Sequence, residues 1–158
     1  MPAKSLRTIG PERLLYLREE ELDQAVDLFF LASRRFWRTA ENALTARNLG
    51  PAHYRALAAI RRMEPPPSVT QLRERLGVRK QSLARVLDGL ERAGLVAKHA
   101  DARDARQRKL VLTEAGRIAE RDASAALRER LAQAFRTIGD QSVPGALALL
   151  EALTEEKP

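Results

Sequence analysis

The feature that most constrains the fold is a change in the spacing of apolar residues at Gly94. Before Gly94, apolar residues recur every three or four positions, which predicts two short helices over 69–76 and 80–93. After it, residues 95–99 and 108–113 have the pattern of extended strands. Two short helices followed directly by a hairpin predict a winged helix-turn-helix, in which the hairpin is the wing.

The ends of these elements carry their own signals. Ser68, followed three residues later by Gln71, is a capping-box pattern and predicts the start of a helix. Gly77 ends that helix, and Gly94 stands where the next helix needs a left-handed C-terminal cap. Thr113 can cap the helix that follows the wing. The chain is therefore predicted to be mainly α-helical with one small β-hairpin, an α+β fold.

Longer amphipathic helices flank this middle segment. Apolar residues share one wide face from about residue 18 to residue 47, and Pro51 can begin a second helix that ends before three consecutive prolines. Two further helices are expected, one from Thr113 to about residue 136 and one over 142–153.

Composition excludes several classes of protein. The chain has no cysteine and only two histidines, far apart, so disulfides and thiolate sites are excluded and no metal or cofactor is expected. It lacks the motifs G-x-S-x-G, H-E-x-x-H and G-x-G-x-x-G, so no enzyme is expected. No apolar run spans a bilayer, and residues 1–13 lack the apolar core of a secretory signal. The expected location is the cytoplasm, in association with the nucleoid.

The net charge of +7 is concentrated in the middle of the chain. Residues 66–113 contain eleven basic and five acidic side chains, which is a surplus of six. A basic segment favours an anionic partner, and double-stranded DNA is the first candidate. A solvated arginine-rich surface would have the same charge, so the order of the elements has to decide between the two.

The second short helix offers side chains that can read DNA. Its apolar residues Leu83, Leu87 and Leu90 are predicted to face the core, which leaves the opposite face to solvent. Arginine pairs with guanine, glutamine pairs with adenine, and serine reaches a base or a phosphate. The alternative is an ordinary amphipathic helix with a basic exterior. The predicted DNA contacts before the wing are Ser68, Thr70, Arg79, Lys80, Gln81, Ser82 and Arg85.

The wing places arginines beside acidic residues. Asp101 and Asp104 can hold the guanidinium groups of Arg103 and Arg106, and an arginine held in this way suits a narrow minor groove. Arg108, at the base of the second strand, suits a phosphate. The alternative is a solvent-facing hairpin with weak surface ion pairs.

Together these segments resemble the MarR family of winged helix-turn-helix transcription regulators. The resemblance implies an obligate homodimer, with a dimerisation domain built from both termini, and it implies that Arg106 enters the minor groove. Many relatives have a second arginine directly after the wing aspartate, where this chain has Ala105. The most specific part is the acidic-arginine wing followed by Leu-Thr-Glu-x-Gly. The matching runs are 76–87, 90–96, 101–106 and 110–116.

A homodimer also follows from the residues. The first helix and the last two are amphipathic, yet they cannot all bury their apolar faces against the compact lobe, so a second copy would complete the core around a two-fold axis. The operator should then be an imperfect palindrome with half-sites about 10 bp apart, or a multiple of that. The predicted division is residues 1–50 as N-terminal dimerisation arm, 51–113 as DNA-binding lobe and 114–158 as C-terminal dimerisation helices.

The expected function is sequence-specific regulation of transcription, with repression as the default mode. A small-molecule effector, such as an aromatic anion, is a further candidate partner, held by Arg34, Trp37, Arg38, His53 and Tyr54. Alternatively, Trp37 is a core residue and these arginines are solvated. Two rival functions stay open: an architectural or weakly specific DNA binder, and a winged-helix scaffold whose basic face meets an acidic protein.

Overall fold

The computed structural model describes residues 18–44, 48–100 and 108–155. Within these ranges the chain forms six α-helices and a two-stranded antiparallel hairpin, which confirms the predicted mainly helical fold. The elements are α1 (Glu19–Leu44), α2 (Pro51–Arg62), α3 (Val69–Leu76), α4 (Lys80–Arg92), β1 (Val96–Ala100), β2 (Arg108–Leu112), α5 (Glu114–Ile138), a 3₁₀ turn (Asp140–Ser142) and α6 (Val143–Ala152).

The backbone divides into two compact units, residues 1–35 and 36–158, so the boundary falls within α1. The division into dimerisation and DNA-binding parts stays a prediction. The predicted bounds of α3 are confirmed, and those of α2, α4 and the strands are confirmed to within one residue. The predicted end of the first helix, at residue 47, lies outside the described residues.

The described part of the first unit is the N-terminal half of α1. Three glutamates at residues 19–21 complement the positive end of the helix dipole, and Glu21 Oε2 accepts a hydrogen bond from the backbone N–H of Arg18 at 3.0 Å. The apolar side chains of this half are exposed, with Phe29 at 50% and Phe30 at 68%. Exposed apolar surface of this extent is typical of an interaction surface.

The second unit is built around a leucine core. The core joins the last turn of α1, the helices α2, α3 and α4, the hairpin, and α5, which contributes Ala119, Ala123 and Leu127. Phe36 and Trp37 of α1 pack against it. The fully buried leucines are Leu44, Leu57, Leu72, Leu83, Leu90, Leu95 and Leu110.

The helix ends follow the predicted signals. Ser68 Oγ accepts from the Gln71 N–H at 3.3 Å, and Gln71 Oε1 accepts from the Ser68 N–H at 2.8 Å, so the capping box is confirmed. Gly77 and Gly94 have φ angles of +62° and +68°, a left-handed conformation that glycine adopts without a steric penalty. The second value confirms the expected cap after α4.

The hairpin is tied to the start of α3. β1 and β2 pair from Val96 with Leu112 to Ala100 with Arg108. On the other edge of β2, the Leu110 N–H donates to the Pro67 carbonyl at 2.8 Å, and Ser68 forms a bridge with Lys109. The N-terminus of α3 therefore lies beside the base of the wing.

A threonine and a glycine fix the start of α5. Thr113 Oγ1 accepts from the Gly116 N–H at 3.0 Å and donates to the Gly94 carbonyl at 2.7 Å. A Cβ on Gly116 would lie 2.0 Å from the Leu95 carbonyl oxygen, so a side chain there would force the backbone apart. This contact is a physical reason for threonine and glycine at these two positions of the motif.

The C-terminal helix α6 exposes most of its apolar side chains. Leu147, Leu149, Leu150 and Leu153 are all exposed, and Leu149 reaches 61%. No helix in the three described ranges is both long enough and apolar enough to cross a membrane.

Candidate nucleic-acid interface

Helix α4 has one buried face and one exposed face. Leu83, Leu87 and Leu90 are buried, as predicted. Because an α-helix turns once every 3.6 residues, Gln81 and Arg85 lie on the opposite face, and both are exposed. The predicted contacts Arg79, Lys80 and Ser82 are exposed as well. The first two turns of α4 thus present a continuous polar and basic surface to solvent.

The turn between α3 and α4 fixes the direction of α4. The Gly77 N–H points to the carbonyl groups of Arg73 and Glu74, which ends α3. Arg79 then takes the extended conformation of an N-cap, and its carbonyl accepts the Leu83 N–H at 3.1 Å. Since each residue of this short connection is bonded or packed, α3 and α4 are held at one angle.

Helix α2 packs closely against the middle of α4. A Cβ on Gly89 would lie 2.8 Å from His53 Nε2, so only glycine fits at this position without moving the imidazole. The Gly50 N–H donates to His53 Nδ1 at 3.1 Å, and burial lowers the pKa of His53 below its usual 6.5. His53 is therefore a neutral packing residue between the two helices at pH 7.

The charges around α4 fall into two groups. Arg92 pairs with Asp88 at 2.7 Å, and Lys98 on β1 pairs with Glu91 at 2.6 Å, so the C-terminal half of α4 is largely neutralised. Among the described residues, Arg79, Lys80 and Arg85 form no ion pair. Positive charge is thus left uncompensated at the N-terminal half of α4, where a recognition helix normally contacts bases.

The remaining predicted contacts that the structure describes lie at the start of α3 and on β2. Thr70 is exposed, Ser68 is half-buried at the start of α3, and Arg108 is exposed at the start of β2. The bridge between Ser68 and Lys109 joins the start of α3 to β2. The predicted wing residues Asp101, Arg103, Asp104 and Arg106 lie outside the described residues.

A separate cavity of about 400 Å³ lies in the second unit, between helices of the lobe and α5. Of the predicted effector residues, Trp37 and Tyr54 line it, whereas His53 lines a different hollow beside Gly89. Arg34 and Arg38 are exposed on α1. Four arginines that line this cavity were not predicted from the sequence: Arg55, Arg62, Arg75 and Arg128. The one signal that could have indicated any of them is the seven-residue spacing of Arg55 and Arg62, which puts both on one face of α2.

Comparison with known proteins decides the family. A sequence model of the MarR family matches residues 47–107, which include α3, α4 and β1. The HTH-type transcriptional regulator PetP of Rhodobacter capsulatus is 42% identical over 146 residues, which cover 92% of this chain and 87% of PetP. The chain belongs to the MarR family. It is a DNA-binding transcription regulator with a winged helix-turn-helix.

Solved structures of MarR regulators have the same fold. The MepR–DNA complex of S. aureus superposes with a TM-score of 0.70 at 17% identity, over 82% of this chain and 94% of MepR. CouR of Rhodococcus jostii RHA1, bound to p-coumaroyl-CoA, superposes with a TM-score of 0.65 at 24% identity, over 84% and 94% of the two chains. The winged helix-turn-helix fold of this MarR-family chain is therefore the fold of these regulators.

Proposed function

We propose that this MarR-family chain binds a pseudo-palindromic operator as a homodimer and represses transcription by blocking access of polymerase. The observation that carries the proposal is the exposed, uncompensated basic surface on the first two turns of α4. The likeness in fold to the MepR structure, which contains DNA, supports DNA binding by this fold.

Each predicted contact has a role suited to its chemistry. Arg85 and Gln81 lie on the outermost line of α4, where a guanidinium can bind guanine O6 and N7 and an amide can bind adenine N6 and N7. Thr70 and Arg108 flank this line and suit phosphates, which fix the position of α4 without reading sequence. In the wing, Arg103 and Arg106 are assigned to the minor groove on the basis of sequence alone.

The dimer is supported by apolar surfaces that the described chain does not cover. Phe29 and Phe30 on α1 and Leu149 and Leu150 on α6 are exposed, although they are side chains that proteins usually bury. We assign a second copy of the chain as their cover, because a two-fold interface buries the same surface on both partners. Two recognition helices would then meet two half-sites.

Selection from a random pool of duplexes tests this proposal. The expected result is an inverted repeat whose half-sites are centred about 10 bp apart, or a multiple of that. Failure to enrich any motif would favour the architectural alternative, and enrichment of a single unrepeated half-site would contradict the dimer. An Arg85→Ala variant should relax the selected base at one position in each half-site, whereas Arg108→Ala should leave the motif unchanged.

We also assign the cavity to an effector that is an aromatic anion. Trp37 and Phe36 supply aromatic surface, and the four cavity arginines supply positive charge. Within the described part of the chain these four arginines have no acidic partner, whereas Arg61, Arg92, Arg117 and Arg136 are each paired within 2.7 Å. A carboxylate or phosphate on the ligand would supply the missing charge. The ligand in the CouR structure, p-coumaroyl-CoA, carries both an aromatic ring and phosphate groups.

The only tryptophan of the chain lines this cavity, so its fluorescence reports occupancy directly. Phenyl phosphate should change the Trp37 emission at a lower concentration than benzoate, and benzyl alcohol should have the weakest effect. Arg62→Gln should weaken binding of phenyl phosphate by about tenfold, as expected for the loss of one charge-assisted hydrogen bond. Arg121→Gln, outside the cavity, is the matched control. Equal binding of the neutral and charged probes would overturn the assignment.

A further inference from the structure

A continuous polar network joins α2 to α5; its Glu120 and Ser124 are buried, whereas the Arg61 side chain at its end is about half exposed. Glu120 of α5 is only 2% exposed, and its two carboxylate oxygens accept hydrogen bonds from different helices. The Arg61 guanidinium of α2 donates to Oε2 at 2.6 Å, and the Ser124 hydroxyl of α5 donates to Oε1 at 2.6 Å. Tyr54 of α2 lies 3.0 Å from Ser124, oxygen to oxygen. We call these four residues the α2–α5 lock.

The direction of each bond in the lock is determined. Since Ser124 gives its only proton to Glu120, the bond between the two hydroxyl groups must be donated by Tyr54. Tyr54 and Arg61 are seven residues apart on one face of α2, and Glu120 and Ser124 are four residues apart on one face of α5. Hydrogen bonds are directional, so all the bonds of the lock form together at only one position and rotation of α2 relative to α5.

Three of the buried apolar side chains on α2 and α5 are alanines, whose shallow surfaces contribute little to fixing that position. Ala58 of α2 and Ala119 and Ala123 of α5 are buried, and α2 packs against α5 in this region. Methyl groups form shallow ridges, and a smooth surface of this kind packs almost equally well after a small shift. Buried polar groups often specify one arrangement among several of similar packing energy.

Any movement of α2 reaches the recognition helix. His53, one residue before Tyr54, fills the space left by Gly89 of α4, and there is no room between them for even one additional carbon atom. The interior of a protein is close-packed, so such a contact transmits displacement instead of absorbing it. The lock therefore fixes the orientation of α4 relative to α5 through α2.

The far part of α5 leads towards the proposed dimer surface. Leu131 and Ile138, in the C-terminal half of this helix, are exposed, like the apolar residues of α6 that follow it. In a two-fold dimer, the rotation and separation of the two recognition helices depend on the angle between α4 and the helices that carry the interface.

We propose that the α2–α5 lock determines which half-site spacing the dimer accepts, with Glu120 as a positioning residue that touches no DNA. This inference rests on the proposed function, because spacing has meaning only for a two-fold complex. It predicts a loss of selectivity between operators, separate from any loss of stability.

The test compares the selected operator with a version that has one extra base pair between its half-sites. One base pair rotates one half-site by about 34° relative to the other and moves it by about 3.4 Å. Wild-type protein should bind the longer operator about 100-fold more weakly, because both half-sites can no longer be engaged together. The double variant Arg61→Met with Glu120→Leu should lose less than about tenfold, since its helices can shift to fit.

The matched control is Arg121→Met with Asp122→Leu, which removes an exposed ion pair on α5 beside Glu120 and should keep the wild-type selectivity. If the Arg61→Met, Glu120→Leu double variant does not fold, Tyr54→Phe tests the inference in its place. This variant lacks one hydroxyl group and should reduce the selectivity between the two operators about fivefold. A folded lock variant that retains the full 100-fold selectivity overturns the inference alone. If wild-type protein binds both operators with equal affinity, both the inference and the proposed two-fold operator are overturned.

Discussion

The lobe formed by α2, α3, α4 and the hairpin differs from the terminal helices in what covers its apolar side chains. In the lobe, Leu72 of α3, Leu83 of α4 and Leu110 of β2 are buried in one core within a single chain. In the first half of α1 and in α6, Phe29 and Leu150 stay exposed. An amphipathic pattern therefore predicts a helix with an apolar face, but it does not tell which molecule covers that face.

The two regions also differ in how strongly local signals determine them. The lobe has a capping box at Ser68, left-handed glycines at 77 and 94, and a threonine cap before α5. The first half of α1 has only its acidic first turn and its apolar spacing. We therefore expect the lobe to depend on its own core, and the terminal helices to depend on a second copy.

The largest effect is expected from a cavity in the lobe core. Leu72→Ala removes a side chain that is 0% exposed and should lower the free energy of unfolding by about 2–5 kcal/mol. Val69→Ala, on the exposed side of the same helix, should cost well under half of that. Urea denaturation measures both. Equal costs would contradict a core that is complete within one chain.

A charged side chain introduced on the exposed face of α1 should weaken association of the dimer instead of the stability of the lobe. Phe29→Asp should weaken the dimer by at least about 30-fold, which corresponds to about 2 kcal/mol for a central interface residue. Gln24→Asp, a polar position of the same helix, is the control. Both variants should keep the circular dichroism spectrum of a folded lobe. A dimer of unchanged affinity in Phe29→Asp would refute the assignment of α1 to the interface.

The recognition helix should show smaller, sequence-dependent losses. Arg85→Ala should weaken operator binding by about 1–3 kcal/mol and relax one base position. Arg108→Ala should weaken binding to all sequences alike and lower its dependence on salt. Anisotropy titrations on operator and scrambled duplexes at two salt concentrations separate the two. Uniform losses for both variants would favour an architectural DNA binder.

The smallest effect is a dependence of stability on pH. Burial lowers the pKa of His53 in the folded chain, so the unfolded chain binds the proton more readily and the folded state loses stability as the pH falls below 6.5. Above that value the contribution is fully present. His53→Gln should flatten this part of the profile. The profile comes from urea denaturation at a series of pH values, and identical slopes for the wild-type and variant proteins would contradict the assignment.

The sequence predicted the parts of the fold that depend on neighbours along the chain. Ser68 and Gln71 are three residues apart, and Gly94 and Thr113 act on the helix ends beside them, so short-range spacing was enough. The apolar spacing of α4 also predicted correctly which of its faces is buried and which is exposed.

The cavity and the lock could not be predicted in the same way. Arg62, Arg75 and Arg128 meet around one cavity although they are on α2, α3 and α5, and no periodic pattern connects them. The predicted effector set instead combined residues that are close in sequence, and His53 turned out to face Gly89 of α4. Glu120 carried no signal, since a single glutamate in a helix is usually on the surface.

Sedimentation equilibrium of the full chain, alone and with one operator-length duplex, tests directly whether a second copy covers the terminal helices. The expected result is a protein of twice the 17.7 kDa chain mass in solution and two copies on each duplex. A species of 17.7 kDa that binds the operator as one copy, with undiminished affinity, would contradict it.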